Sequence, residues 1–266
     1  MRDSVSTPLR PASPQSSQAK RMIFRQLFDR SSCTYTYLLA DEESRLAVLI
    51  DPVLELVERD LQILAELRLS LRYTIETHLH ADHITGGAKI RAALGSECVV
   101  AHAAGDTLAD RKVHHGDEIR FGAHTLEVRC TPGHTNGCAS YVDHHGRRVF
   151  TGDALMVRGC GRTDFQQGSP ETLFASVHEQ IFSLPGDYAI YPGHDYRGRT
   201  SSTVEEERQH NPRLGNGRSL MEFRQIMGAL NLSHPAKIDV AVPANRRCGL
   251  LVEDAGGASS RDSATP

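Results

Sequence analysis

The sequence predicts an α/β fold in which two β-sheets pack together and helices cover their outer faces. Three observations predict it. Short runs rich in β-branched and aromatic residues alternate with amphipathic segments in each half of the chain. No fixed period recurs along the 266 residues, as a solenoid would require. No apolar stretch approaches the roughly 20 residues that span a bilayer.

MIFRQLF, CTYTYLLA and RLAVLID are three short strand-like runs separated by polar or acidic breaks. Asp51 and Pro52 then read as an N-cap followed by proline at the first helical position. Val53, Val57, Leu61 and Leu64 recur at helical spacing behind them, which predicts an amphipathic helix lying on the sheet. RYTIETH alternates Tyr73, Ile75 and Thr77 and runs as a strand into THLHADH, residues 77–83; GGAKIRAAL beyond it is helical. Three histidines and an aspartate therefore crowd one strand-to-helix loop. In the second half HTLEVRC, ASYV, RRVF and YAIY read as strands, and ETLFASVHEQIFSL reads as a helix with Leu173, Val177 and Ile181 on one face. A single folded domain is expected over 21–252. The Ser-, Pro- and Gln-rich residues 1–20 and the similar residues 253–266 are expected to be disordered tails.

Composition narrows the function. The net charge is −3 and no Lys or Arg run forms a stripe, which argues against nucleic acid as a partner. The first 20 residues lack the apolar run of a secretory signal, so neither secretion nor a membrane is expected. They are Ser-rich and acid-poor, as transit peptides are, but Pro8, Pro11 and Pro14 would break the helix such peptides need. Six scattered cysteines with no Cys-x-x-Cys pair suit reduced thiols. The expected compartment is bacterial cytoplasm, or the mitochondrial matrix in a eukaryote.

The chemistry lies at the strand ends. RYTIET leads into His78, LEVRCTPG into His134, VFTG into Asp153 and YAIYPG into His194. Four strands that each end in a small residue and then a ligand-grade side chain describe a metal site along one edge of a sheet sandwich. Imidazole and carboxylate suit zinc, iron or manganese, and argue against an iron–sulfur cluster. Isolated histidines such as His102, His124, His178 and His234 read as ordinary surface or core residues.

THLHADH, TPGHT, the TGDAL around Asp153 and the PGHD around His194 resemble, in order, the four metal motifs of the metallo-β-lactamase superfamily. The resemblance implies a four-layer αββα sandwich. GDALMVRGCGRTDFQQGS, STVEEERQHNPRL and AVPANRRCG further resemble the persulfide dioxygenases. It implies one Fe(II) per chain held by His78, His134 and Asp153, with His80, Asp82, His83, His194 and Asp195 around them. It also implies glutathione persulfide and O2 as substrates. Arg162 and Arg213 match family positions suited to the carboxylates of glutathione, with Thr163 and Tyr196 as hydrogen-bonding neighbours. Cys160 is expected to fill a tight turn, and Cys248 to be buried. All seven residues of a two-metal hydrolase set are also present, which keeps open a glyoxalase II-like hydroxyacylglutathione hydrolase. That reading is disfavoured because the chain leaves no room for the longer helical C-terminal region of glyoxalase II. A non-catalytic metal- or glutathione-binding module is disfavoured by the complete ligand set, a nuclease by the charge balance and a secreted β-lactamase by the missing signal. A homodimer is the base-rate expectation.

Overall fold

The computed structural model describes residues 21–251, so the two expected tails lie outside the described residues. The first sheet runs β1 (Met22–Phe28), β2 (Tyr35–Asp41), β3 (Leu46–Ile50), β4 (Ser70–Ile75), β5 (Glu97–Ala101) and β6 (Arg111–Val113) in spatial order. β1 to β3 are antiparallel and β3 to β6 parallel. The parallel crossovers carry helices α1 (Val57–Glu66) and α2 (Gly87–Leu94). The second sheet contains β7 (Glu118–Phe121), β8 (His124–Cys130), β9 (Ala139–Asp143), β10 (Arg148–Gly152), β11 (Ala189–Pro192) and β12 (Ser202–Thr203), again in spatial order. Helix α3 (Pro170–Ser176) lies in the one parallel crossover of that sheet, β10 to β11. It is followed by α4 (Val204–His210), α5 (Leu220–Gly228) and α6 (Ile238–Asn245).

Strand period sorts the side chains into layers. On β2, Tyr37 and Leu39 face the inter-sheet core with Val48, Ile75, Phe121, Tyr141 and Phe150, while Leu38 and Ala40 face α1 and α2 with Val57, Leu64 and Ile90. β2 is buried along its whole length because both of its faces are covered. On the second sheet Val142, Val149 and Ile190 pack outward against Leu173, Val177 and Phe223. Each of these large side chains contributes about 1.5–3 kcal/mol through burial. The result is helix, sheet, sheet, helix, as expected.

One expected element starts elsewhere. Asp51 is not a helix N-cap: its φ is +51°, and its carboxylate accepts from the Thr77 backbone N–H and hydroxyl, both at 2.7 Å. α1 begins at Val57, after a short 3₁₀ turn over Leu54–Leu56. The Asp–Pro pair that resembles a helix start instead turns the chain at the end of β3 and aims a carboxylate across the sheet. Four short strands, β5 to β7 and β12, were not foreseen.

Candidate metal centre

The strand ends converge on one edge of the sandwich. His78, His80, Asp82 and His83 lie in the loop after β4; His134 follows β8, Asp153 follows β10 directly, and His194 follows β11. One donor atom from each of His78, His134 and Asp153 lies within 4.8 Å of the others, and the same holds for His80, Asp82, His83 and His194. The first sheet thus brings four of these side chains and the second sheet three.

Hydrogen bonds assign the ring tautomers in the first group. The Thr77 hydroxyl donates to Asp51 Oδ2, so its oxygen accepts from His78 Nδ1–H at 3.0 Å and leaves His78 Nε2 with a lone pair. His134 Nδ1–H donates to the Arg162 carbonyl at 2.7 Å, which frees its Nε2 in the same way. Metal-binding histidines are oriented by this kind of second hydrogen bond. Asp153 Oδ1 accepts from His194 Nδ1 at 2.7 Å, while Oδ2 stands 3.7 Å from His134 Nε2. Gly161 permits the approach: a Cβ there would stand 2.6 Å from His134 Nδ1. Gly152, at φ +51°, has Thr77 where a Cβ would fall.

The second group is turned toward its own members. His194 Nε2 meets Asp82 Oδ2 at 3.0 Å and Thr34 Oγ1 at 3.1 Å, and His83 Nδ1 meets the same two residues at 3.1 and 3.3 Å. His80 Nε2 lies 3.2 Å from Asp51 Oδ1 and 3.5 Å from Glu76 Oε2, although neither contact is aligned as a hydrogen bond. Burial opposes charge on His80, but Asp51 and Glu76 outweigh it and lift its pKa to about 10. Burial likewise works against the Asp153 carboxylate, yet His194, His134 and His78 hold it well below the usual range. Burial pushes His78 far down, reinforced by His80, which keeps it neutral and ligand-competent.

The remaining sequence-predicted residues have other partners. Arg162 is doubly bonded to Asp164 at 2.6 and 2.7 Å, donates to the Ser233 carbonyl and lies over the Phe165 ring. Arg213 donates to the Cys160 carbonyl at 2.8 Å, and Thr163 is buried. The Tyr196 ring is parallel to His194 with centroids 6.1 Å apart and is largely exposed. Asp195 accepts from the Arg197 and Arg199 backbone N–H groups and pins the loop after His194. Cys160 is buried beside the Met227 sulfur. Cys248 is also buried, and contact with the Cys98 thiol, together with burial, raises its pKa.

Sequence reasoning missed Asp51, Thr34 and above all Asn245. From α6 the Asn245 amide donates to the His80 and His83 carbonyls, both at 2.9 Å, and accepts from the Thr85 N–H at 2.8 Å. It is 2% exposed and closes the ligand loop from below. The run AVPANRRCG was a visible signal, although nothing local reveals its partners.

Comparison with known proteins fits this geometry. The family model for the metallo-β-lactamase superfamily matches residues 34–194. Mouse persulfide dioxygenase ETHE1 is 55% identical over 91% of this chain and 94% of its own length. The chain belongs to the ETHE1 persulfide dioxygenase family of the metallo-β-lactamase superfamily. ETHE1 from Myxococcus xanthus superposes with a TM-score of 0.83 at 53% identity, covering 86% of this chain and all of that one. The hydroxyacylglutathione hydrolase of Brucella anthropi is more distant, 36% identical over 67% of each chain. Membership of this family makes the chain an oxidoreductase, and the His/Asp clusters mark its metal centre. The mouse protein is described as mitochondrial; among the described residues here, no helix is long and apolar enough to cross a membrane.

Proposed function

We propose that the chain is a mononuclear Fe(II) glutathione persulfide dioxygenase, with His78, His134 and Asp153 as the metal ligands. The reaction is GSSH + O2 + H2O → GSH + sulfite + 2H⁺: both atoms of O2 go to the terminal sulfur, and water then releases glutathione. The observation that carries this reading is the donor set itself. Two imidazole Nε2 lone pairs and one carboxylate oxygen, each oriented by a second hydrogen bond, form the two-histidine, one-carboxylate face typical of non-heme Fe(II) oxygenases. When bound, Fe(II) supplies the positions at which the persulfide sulfur and O2 meet. The protein does the rest. Thr77 and the Arg162 carbonyl set the two rings, His194 holds Asp153 in one orientation, and Tyr196 lays its ring parallel to His194. The described cysteines are all unpaired, in keeping with a reducing compartment, bacterial cytoplasm or mitochondrial matrix.

A two-metal hydrolase would use the second cluster as well, and the buried His83 Nε2 without a hydrogen-bond partner favours keeping that reading in view. Oxygen uptake by anaerobically iron-loaded protein separates the two. Prompt uptake on adding glutathione persulfide, with sulfite formed, is the expected result. Iron-containing protein that consumes no oxygen but cleaves a glutathione thioester would establish the hydrolase instead.

A further inference from the structure

We infer that a small cleft beside the metal centre receives a carboxylate of the glutathione moiety, and that Arg246 is the residue that reads it. This rests on the function proposed above and names the part of the substrate that one subsite takes. The cleft has a volume of about 110 Å³, room for one carboxylate-bearing end of the tripeptide rather than the whole. Its lining includes Leu79, between His78 and His80, and Thr135, next to His134, so it lies against the two loops that carry the proposed histidine ligands. Asn136, Gln166, Gln167 and Arg246 supply its polar lining.

Arg246 is poised for an external anion. It directly follows Asn245, so the residue that clamps the ligand loop also fixes its backbone. Its own N–H bonds the Val242 carbonyl at 3.0 Å and its carbonyl accepts from Leu108 N–H at 2.7 Å. Its guanidinium makes a single hydrogen bond, Nη1 to the Asp106 carbonyl at 3.2 Å. Among the described residues no carboxylate stands within ion-pair distance of it. Arg162 and Arg213, the cations expected from sequence, are engaged by Asp164 and by the Cys160 carbonyl. A guanidinium that keeps most of its donors is the group best fitted to take a carboxylate through two parallel hydrogen bonds.

The opposite wall is built with unusual backbone. Gln166 and Gln167 are consecutive non-glycine residues at φ +48° and +61°, a conformation held only where the surroundings enforce it. Gln166 is committed, its amide donating to the Leu79 carbonyl at 2.7 Å and its carbonyl accepting from Asn136 N–H. Gln167, turned by the same strained corner, makes no side-chain hydrogen bond among the described residues and keeps a free amide donor at the cleft. Gly137 closes the back, where a Cβ would stand 2.6 Å from Ala104 Cα.

The test compares iron-loaded wild type with Arg246→Ala and Arg246→Lys on glutathione persulfide and on 2-hydroxyethyl persulfide, which has no carboxylate. Glutathione binding is measured in parallel by anaerobic calorimetry. Arg246→Ala is expected to raise KM for glutathione persulfide about tenfold with kcat within about twofold, because a remote contact is made equally in ground and transition states. KM for the carboxylate-free persulfide stays unchanged, glutathione binds about tenfold more weakly, and Arg246→Lys recovers part of the loss. Equal KM increases for both persulfides, or wild-type glutathione affinity in Arg246→Ala, would overturn the assignment. If wild type consumes oxygen with neither persulfide, the functional reading fails while calorimetry still decides the subsite.

Discussion

The two donor clusters sit side by side, yet their ring nitrogens are differently occupied. In the group of His78, His134 and Asp153, each imidazole spends Nδ1 on a fixed oxygen and presents Nε2 to the centre. In the group of His80, Asp82, His83 and His194, the side chains largely bond one another. His194 uses both nitrogens, and His80 sits against Asp51 and Glu76. The same residue types thus either leave a ring nitrogen free or lock into a charged frame, according to which oxygen each nitrogen meets. Spacing in the sequence is silent on that difference, because Thr77, Asp51, Thr34 and the Arg162 carbonyl make it.

The sharpest way to break this comparison is to remove one histidine from each group. His134→Ala is expected to lose both bound iron and oxygen uptake, down to background. His83→Ala is expected to keep one iron per chain and lose about tenfold in turnover, the scale of an outer partner rather than a ligand. Metal analysis beside oxygen uptake reads both, and equal iron loss in the two variants would erase the distinction.

A smaller effect is expected below the loop. Asn245→Ala leaves the His80 and His83 carbonyls and the Thr85 N–H without their buried partner, at a cost of about 2–4 kcal/mol in stability. Iron affinity should fall about 10–100-fold, since the loop carrying His78 is no longer held. Thermal unfolding and a competition assay with a ferrous chelator measure the two separately. Asn245→Asp, which keeps the acceptor for Thr85 but cannot donate twice, should recover little of the affinity.

The smallest effect lies on α1, remote from the clusters. Asp60 is buried with one carboxylate oxygen lacking a partner, and burial lifts its pKa to about 6 despite Arg59 at 2.8 Å. A raised carboxyl pKa means the native state holds its proton more tightly than the unfolded chain. Stability from this group is therefore present below about pH 4 and lost as pH rises to about 6. Asp60→Asn should be more stable than wild type by about 1–3 kcal/mol at pH 7 and similar to it near pH 4. Denaturant unfolding at the two pH values is the measurement.

How much was legible follows from the range of each interaction. β1 to β4, β8 to β11 and α3 are local patterns of period 2 or 3.6, although Val177–Ile181 continue α3 as a π-helix, and residues 77–83 announce themselves by density. β6 and β7 are three and four residues long and rich in charge, too short for periodicity to register. Asp51 misled because Asp–Pro satisfies the local rules for a helix start, while its role is set by Thr77 in the loop after the neighbouring strand β4. Asn245 could not be read at all, since its three partners lie about 160 residues away.

The position of Asn245 also bears on how the protein is made. At about 5–20 residues per second, several seconds separate synthesis of His194 from completion of α6, about fifty residues later. Throughout that interval every ligand-grade side chain has been translated, but the loop that carries four of them lacks its clamp. A nascent chain would therefore hold metal loosely until α6 docks, leaving time for a wrongly acquired ion to exchange before the centre closes.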